Sequence, residues 1–221
     1  MPSLERPVAR RQDGGSTEAR GGGGGAVTLR LAHHEPSMTT TTAVWRRLDA
    51  PGHDACRLTG NGREWRIEGT AIFVVSGAHV HLAYEVKCDR GWKTREGTVR
   101  GWFGQKSVDL VARRTDNNQW ALNGSRVPGL EDCVDLDLGF TPATNLLQLR
   151  RLALADGEAM DDPVAWLNVN DGTLSLLRQR YERRSSDSYW YEAPRFEYSA
   201  MIEVDESGFP KRYPDLWEAQ G

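Results

Sequence analysis

The stretch Cys133–Leu152 gathers residue types that do chemistry. Asp135 and Asp137 alternate with Val134, Leu136 and Leu138, and Arg150-Arg151 follows further along. On a strand, alternation turns both carboxylates to the same face, with their Cα atoms about 6.5–7 Å apart. Carboxyl groups about 5–5.5 Å apart are what retaining glycoside hydrolysis uses, one as acid and one as nucleophile. That chemistry needs one acid whose ionisation is opposed by burial, which spacing alone does not supply. The same residues serve equally as a structural network, with the two Asp held by Arg150, Arg151 or a capped turn. They serve also as acceptors for the hydroxyls of a sugar or lipid headgroup.

Two further sets compete with it. His79-Val-His81-Leu-Ala-Tyr-Glu85 places three ligand-type side chains on one strand face, as in the metal-binding strand of cupins, and imidazole with carboxylate suits iron, zinc or manganese. Cupins add a histidine from a later strand, however, and none follows His81; Gly77 is also misplaced for that motif. A solvated polar strand face is the plainer reading. The second set is arginine with aromatic residues: Trp92, Arg95, Trp102, Arg150, Arg151, Gln179, Tyr181, Tyr189 and Tyr191. Aromatic faces stack on sugar rings and acyl chains, and guanidinium groups hold phosphate or carboxylate. Ordinary barrel packing, with Trp and Tyr inside and Arg at the rim, explains the same list. No Ser-His-Asp arrangement or Gly-x-Ser-x-Gly turn is in place, and Gly60-Asn-Gly62 is too little for a phosphate loop.

The elements that must position these residues are strands. Trp65, Ile67, Ala71, Phe73 and Val75 share one strand face, opposite Arg66, Glu68 and Thr70, while Ile72 and Val74 suggest an end covered on both sides. Val80, Leu82, Tyr84, Val86 and Cys88 alternate with polar residues in the cleanest half-buried strand. Strands are expected again at Trp92–Phe103, Ser107–Arg114, Val164–Val169, Thr173–Arg184 and Phe196–Val204, with Asn170-Asp171-Gly172 and Asp205–Gly208 as hairpin turns. Thr141-Pro142 reads as a helix start, Thr141 capping and Pro142 first in the helix. The expected fold is mainly β: an antiparallel spiral β-roll or incomplete barrel of roughly ten to twelve strands, with one short helix at about 142–148.

Composition sets the boundaries. The 221 residues are 38% hydrophobic and 27% charged, with a net charge of −3, which gives no basic field for nucleic acid. Cys56, Cys88 and Cys133 match neither a zinc motif nor a disulfide framework, and Cys88 falls on an apolar face as a buried free thiol. No run reaches the roughly 18 apolar residues of a membrane span, and the N-terminus lacks a secretory core. A cytoplasmic location follows as the expectation. Residues 1–40 carry scattered Arg and the unbroken Gly21–Gly25 run, with too few apolar residues to offset ordering. They are expected to be a disordered extension, with His33-His34 solvated, and Met38 is an alternative start. Residues 41–221 are expected to form one β-roll domain.

Several pieces recur together in a known pattern: Trp45, Trp92-Lys-Thr-Arg95, Trp120, Cys133–Leu138, Thr141-Pro142 with Asn145, Arg150-Arg151-Leu152, Gln179-Arg-Tyr181, Val204–Gly208, Tyr213-Pro214 and Trp217. In this order they resemble the bacterial putative glycolipid-binding family, formerly an uncharacterised domain family, over about Thr41 to Trp217. The chain departs from the pattern at Gln148, where a proline is expected before the Arg pair. The resemblance implies a β-roll similar to lipoprotein-carrier folds, with a hydrophobic cavity. It implies non-catalytic binding of a lipid or glycolipid-like amphiphile. The expected ligand-binding residues are Trp92, Arg95, Trp102, Asp135, Asp137, Asn145, Arg150, Arg151, Gln179, Tyr181, Tyr189 and Tyr191, with Arg150 or Arg151 on the headgroup. No cofactor and no nucleic-acid partner are expected. The alternatives are a metal-dependent cupin-like enzyme using His79, His81 and Glu85, and a glycoside-processing enzyme using Asp135 and Asp137.

Overall fold

Alternating side chains carry the first half of the chain into long antiparallel strands, seen in a computed structural model that describes residues 39–221. The expected Gly-rich extension, with His33-His34 and Met38, lies outside the described residues. The strands β1 (Thr39–Arg47), β2 (Gly52–Gly60), β3 (Glu64–Val75), β4 (Ala78–Asp89), β5 (Thr94–Phe103) and β6 (Lys106–Arg114) form a meander, continued by β7 (Trp120–Leu122) and β8 (Ser125–Val127). After β9 (Leu136–Asp137) and α1 (Asn145–Leu152) come β10 (Ala159–Asp161), β11 (Val164–Asn168), β12 (Thr173–Leu177), β13 (Arg180–Arg183), β14 (Ser188–Ala193), β15 (Tyr198–Val204), β16 (Pro210–Tyr213) and β17 (Trp217–Ala219).

Fourteen of these strands form one antiparallel sheet in the order β10-β13-β14-β15-β16-β17-β1-β2-β3-β4-β5-β6-β7-β8. Its ends, β10 and β8, do not pair, so the sheet is not closed into a barrel. The N- and C-terminal meanders are spliced where β1 pairs β17, from Trp45 opposite Ala219 to Arg47 opposite Trp217. Fully buried Trp45 supports the splice, donating its indole N–H to the Pro210 carbonyl at 2.5 Å and packing edge-on against Phe209.

The middle of the chain folds onto the inward face of this sheet. Leu136 sits over Gly97 and its backbone N–H reaches the Thr94 hydroxyl at 3.2 Å. Phe140 meets Tyr84 edge-on, and the Trp120 indole donates to the Cys133 carbonyl at 2.9 Å. Leu136, Leu138, Leu146 and Leu147 are wholly buried and join the core cluster built from both meanders. All three cysteines are buried free thiols, as expected for Cys88. Among the described residues, no helix is long and apolar enough to cross a membrane.

Four local expectations are corrected. The helix begins three residues later than Pro142 because the Thr141 hydroxyl is drawn to Asp54 on β2 and to Tyr84 at 3.2 Å; it also accepts the Ala143 N–H, making a turn. The chain leaves the helix through Ala153, whose left-handed backbone returns its N–H to the Leu149 carbonyl. Of the expected strand at Cys133–Leu138 only Leu136–Asp137 pairs, and it runs parallel to β11. Thr173–Arg184 is split between two sheets: β12 pairs β11, whereas β13 pairs β10 and β14, with buried Gln179 at the break. Ile72 is 51% exposed, so the end of β3 is not covered on both sides.

Gly69 on β3 has a specific task. Tyr84 on β4 lies opposite it, and its ring crosses β3 there to reach Asp54 on β2. A methyl group on Gly69 would strike the Tyr84 ring and sit 2.7 Å from the Ala55 carbonyl oxygen. Gly69→Ala is therefore expected to cost about 2–3 kcal/mol in urea denaturation, the scale of overpacking a filled core. A change below ~0.5 kcal/mol would mean that the Tyr84 crossing is not fixed.

Candidate functional site

Where the helix, β11 and the C-terminal meander meet, a cavity of about 350 Å³ opens. Its walls are aromatic: Trp166 from β11, Tyr191 from β14, Phe196 from the following 3-10 turn, Tyr198 from β15, Tyr213 from β16 and Trp217 from β17. Tyr191, Tyr198 and Tyr213 pack against one another with ring centroids 5.6–6.2 Å apart, and Tyr181 lies behind Tyr191 at 4.9 Å. Trp166 meets Phe196 edge-on at 5.3 Å, and Arg195 lies over its other side at 4.8 Å. Burial pushes the Tyr181, Tyr191 and Tyr213 hydroxyls well up from their usual range, so they stay neutral donors and acceptors.

The polar groups on the cavity are few. Asp137 accepts from the Gln179 side-chain amide at 2.7 Å. Burial pushes its carboxyl up to about 6, moderated by that amide and by no cation. Asn145, the first residue of α1, donates to the Tyr181 hydroxyl at 2.8 Å, and Tyr181 in turn donates to Gln148 at 3.1 Å. Gln148 thus fixes an aromatic residue behind the wall, at the position where proline was expected. Arg47 and Asp49 at the rim neutralise each other through bonds of 2.7 and 2.8 Å, and the Arg47 guanidinium is stacked over Phe73 and Trp217. The cavity therefore carries one carboxyl without a cationic partner, Asp137. Such a lining can stack on an apolar ring face and accept hydroxyl hydrogens; it has no free guanidinium for a phosphate.

A second groove of about 490 Å³ adjoins the first, sharing Arg47, Gly139 and Trp166. A larger depression, about 930 Å³, lies on the outer face of β1–β6. There Arg57, Glu68, Arg66, Glu85, Lys87, Glu96 and Arg113 form a ladder in which every charge has a partner, for example Lys87–Glu85 at 2.9 Å and Arg113–Glu96 at 2.6 Å. Its side chains are exposed or half-buried and mutually satisfied, an ion-paired sheet surface rather than a ligand pocket.

The residues singled out in the sequence separate into distinct places. Asp137, Asn145 and Tyr191 line the cavity, with Gln179 and Tyr181 directly behind. Asp135 does not join Asp137: it is wholly buried and held by Arg151 at 2.7 Å, and Arg151 also reaches Asp162. Burial pushes the Asp135 carboxyl up to about 7 against the pull of Arg151. Arg150 donates to the Ser207 carbonyl at 3.0 Å, so neither member of the Arg pair lines the cavity. Trp92 stacks on Trp65 at 4.1 Å; Arg95 pairs with Asp116 at the surface; Trp102 stacks on His81 at 4.4 Å; Tyr189 packs beneath Arg183. His79, His81 and Glu85 stay strung along β4, His79 about 20 Å from Glu85 at strand rise, and Glu85 is engaged by Arg66 and Lys87. Among the described residues no group of three His, Cys, Asp or Glu is gathered as for a metal ion.

Trp166, Tyr198, Tyr213, Trp217 and the Arg47–Asp49 pair were not among the expected site residues. A signal existed: Tyr191 and Tyr198 fall on inward positions of neighbouring strands, and only the β14–β15 register brings them together. Asp54 was also missed. It is 1% exposed and surrounded by the Tyr84 and Thr141 hydroxyls, and the Thr141 it holds lines the cavity.

Against known proteins, the family model described as "Putative glycolipid-binding" matches residues 42–219. A solved structure of a DUF1089 family protein from Pseudomonas aeruginosa is 24% identical, with a TM-score of 0.65, over 81% of this chain and 91% of that one. At that identity the likeness bears on fold. No curated protein matches the chain.

Proposed function

The chain belongs to the "Putative glycolipid-binding" family, and from this premise we propose that it holds the sugar headgroup of an uncharged glycolipid in the cavity beside α1. The observation that carries this reading is a chamber walled by Trp166, Tyr191, Tyr198, Tyr213 and Trp217 whose unneutralised charge is the single carboxylate of Asp137. The C–H face of a sugar ring stacks on aromatic rings, and its hydroxyls donate to a carboxylate; an anionic headgroup would meet Asp137 without a free cation to offset it. The volume, about 350 Å³, is at the lower end for small-ligand sites and suits one ring. This replaces the expected Arg150 or Arg151 contact, since both guanidiniums are engaged elsewhere.

The test is binding of methyl β-glucoside and methyl β-galactoside to the full chain by saturation-transfer NMR, with native mass spectrometry for co-purified lipid. Trp166→Ala and Asp137→Asn are each expected to weaken binding about tenfold, the loss of one stacking face or one charge-assisted bond. Affinity should also fall as pH drops below about 6, where Asp137 takes up its proton and ceases to be a full acceptor. Absence of saturable binding by any member of the panel, or binding indifferent to both variants, would remove this reading.

A further inference from the structure

We infer that the groove on the far side of Trp166 receives the hydrocarbon chain of the same ligand, making the site bipartite, with the sugar ring on the tyrosine side and the alkyl chain on the phenylalanine side. The inference rests on the headgroup reading above and adds a second, separately testable subsite. The two spaces adjoin across a shared wall: Arg47, Gly139 and Trp166 line both. The Trp166 indole lies on the backbone of Gly139, where a side chain would collide with it, so ring and backbone form a thin partition that a flexible chain can round.

The linings differ in residue type: three tyrosines and the Asp137 carboxyl in the first chamber, phenylalanine and aliphatic side chains over much of the second. On the far side Phe73, Val75, Phe103, Leu167 and Val169 supply apolar surface from the ends of β3, β5 and β11, joined by Phe140 from the segment before α1. Of the polar side chains there, Ser76 and Asn170 are exposed in the turns after β3 and β11, and the other two are already engaged. Arg47 is held by Asp49 and covered by Phe73, and the Asn168 side chain bonds Asp171 and the Asn170 N–H within its own turn. About 490 Å³ with no unpaired charge and largely apolar walls fits hydrocarbon. The chamber of about 350 Å³ has no room for ring and chain together, so an amphiphile anchored there must send its chain elsewhere. The adjoining groove is the apolar route open to it.

The test uses the full chain and n-alkyl β-glucosides from methyl to octyl, kept below micelle-forming concentrations, by isothermal titration and saturation-transfer NMR. Affinity should tighten up to about fourfold for each added methylene, the value of burying one such group, then level off when the groove is full. Val169→Asp should abolish this dependence while methyl glucoside binds within about twofold of the unaltered chain, which also serves as the check on folding. Should that variant not fold, Val75→Asp introduces the same charge from the facing strand end. Methyl glucoside binding with a flat series would overturn the groove and leave the headgroup reading standing. A chain-length dependence that survives the charged variant would likewise overturn it. Failure of every glucoside to bind, whatever its length, would instead overturn the headgroup reading on which it rests.

Discussion

Arg151→Met is expected to destabilise the fold by about 3–5 kcal/mol at pH 8, the scale of removing one partner from a buried ion pair. Two carboxylates depend on this guanidinium: Asp135, held at 2.7 Å, and Asp162, both almost completely buried. Without it both would be interior charges facing each other. Burial already raises the Asp135 carboxyl to about 7 and the Asp162 carboxyl above its ordinary value. Groups raised in the folded state are easily protonated there, so the penalty of the variant should be largest above pH 7 and shrink toward pH 5, where Asp135 carries its proton. Urea denaturation at the two pH values checks this. Arg151→Lys should fall between, because an ammonium cannot fork to two acceptors at once. Replacing all three with apolar residues of similar volume should recover most of the loss, since the network costs desolvation as well as repaying it. An Arg151→Met protein that denatures like the unaltered chain but no longer binds glycosides would assign this network to the ligand site instead.

That network also explains how far the sequence could be read. The strands β3 to β6 were visible because each has one buried and one wet face, so alternation reports burial directly. Where a segment is covered on both sides the code fails. Cys133, Leu136 and Leu138 are all wholly buried, and a run that reads as six strand residues pairs over two. The break at Gln179 is invisible for a related reason, because what separates β12 from β13 is the choice between two sheets, made by contacts distant in sequence. Asp135 and Asp137 share residue type and spacing, yet one meets Arg151 and the other meets Gln179 and a cavity. Their different roles depend on partners 16 and 42 residues away, which the spacing of the two Asp does not encode. Asp54 is the extreme case: in an alternating strand it looks like any polar residue, and only the Gly69 gap that lets Tyr84 cross β3 marks it as buried.

Asp54 also sets the sign of the protein's pH response. Its carboxylate is 1% exposed and accepts from the Tyr84 hydroxyl at 2.9 Å and from Thr141. Burial raises it from 3.8 to about 7, and the bonds that oppose the rise come from neutral hydroxyls and a backbone N–H. The folded state therefore keeps this proton where the unfolded chain has lost it. The stability it contributes is complete below about pH 4 and is lost as pH rises through 7, a difference of at most about 4 kcal/mol at 1.36 kcal/mol per pH unit. The unaltered chain should accordingly resist urea better at pH 5 than at pH 8.5, with Asp135 and Asp137 adding in the same direction. Asp54→Asn keeps the shape and an acceptor oxygen but cannot ionise. It should lose roughly a third of that pH slope and be at least as stable as the unaltered chain at pH 8.5. A slope unchanged by the substitution would place its origin in the other buried carboxylates, Asp135, Asp137 and Asp162. Because Thr141 is tied to Asp54 and lines the cavity, the loosening should appear first there. Amide exchange at Gly139 to Ala143, referred to its intrinsic rate at each pH, is expected to gain protection in Asp54→Asn above pH 7 and to be unaltered by it at pH 5.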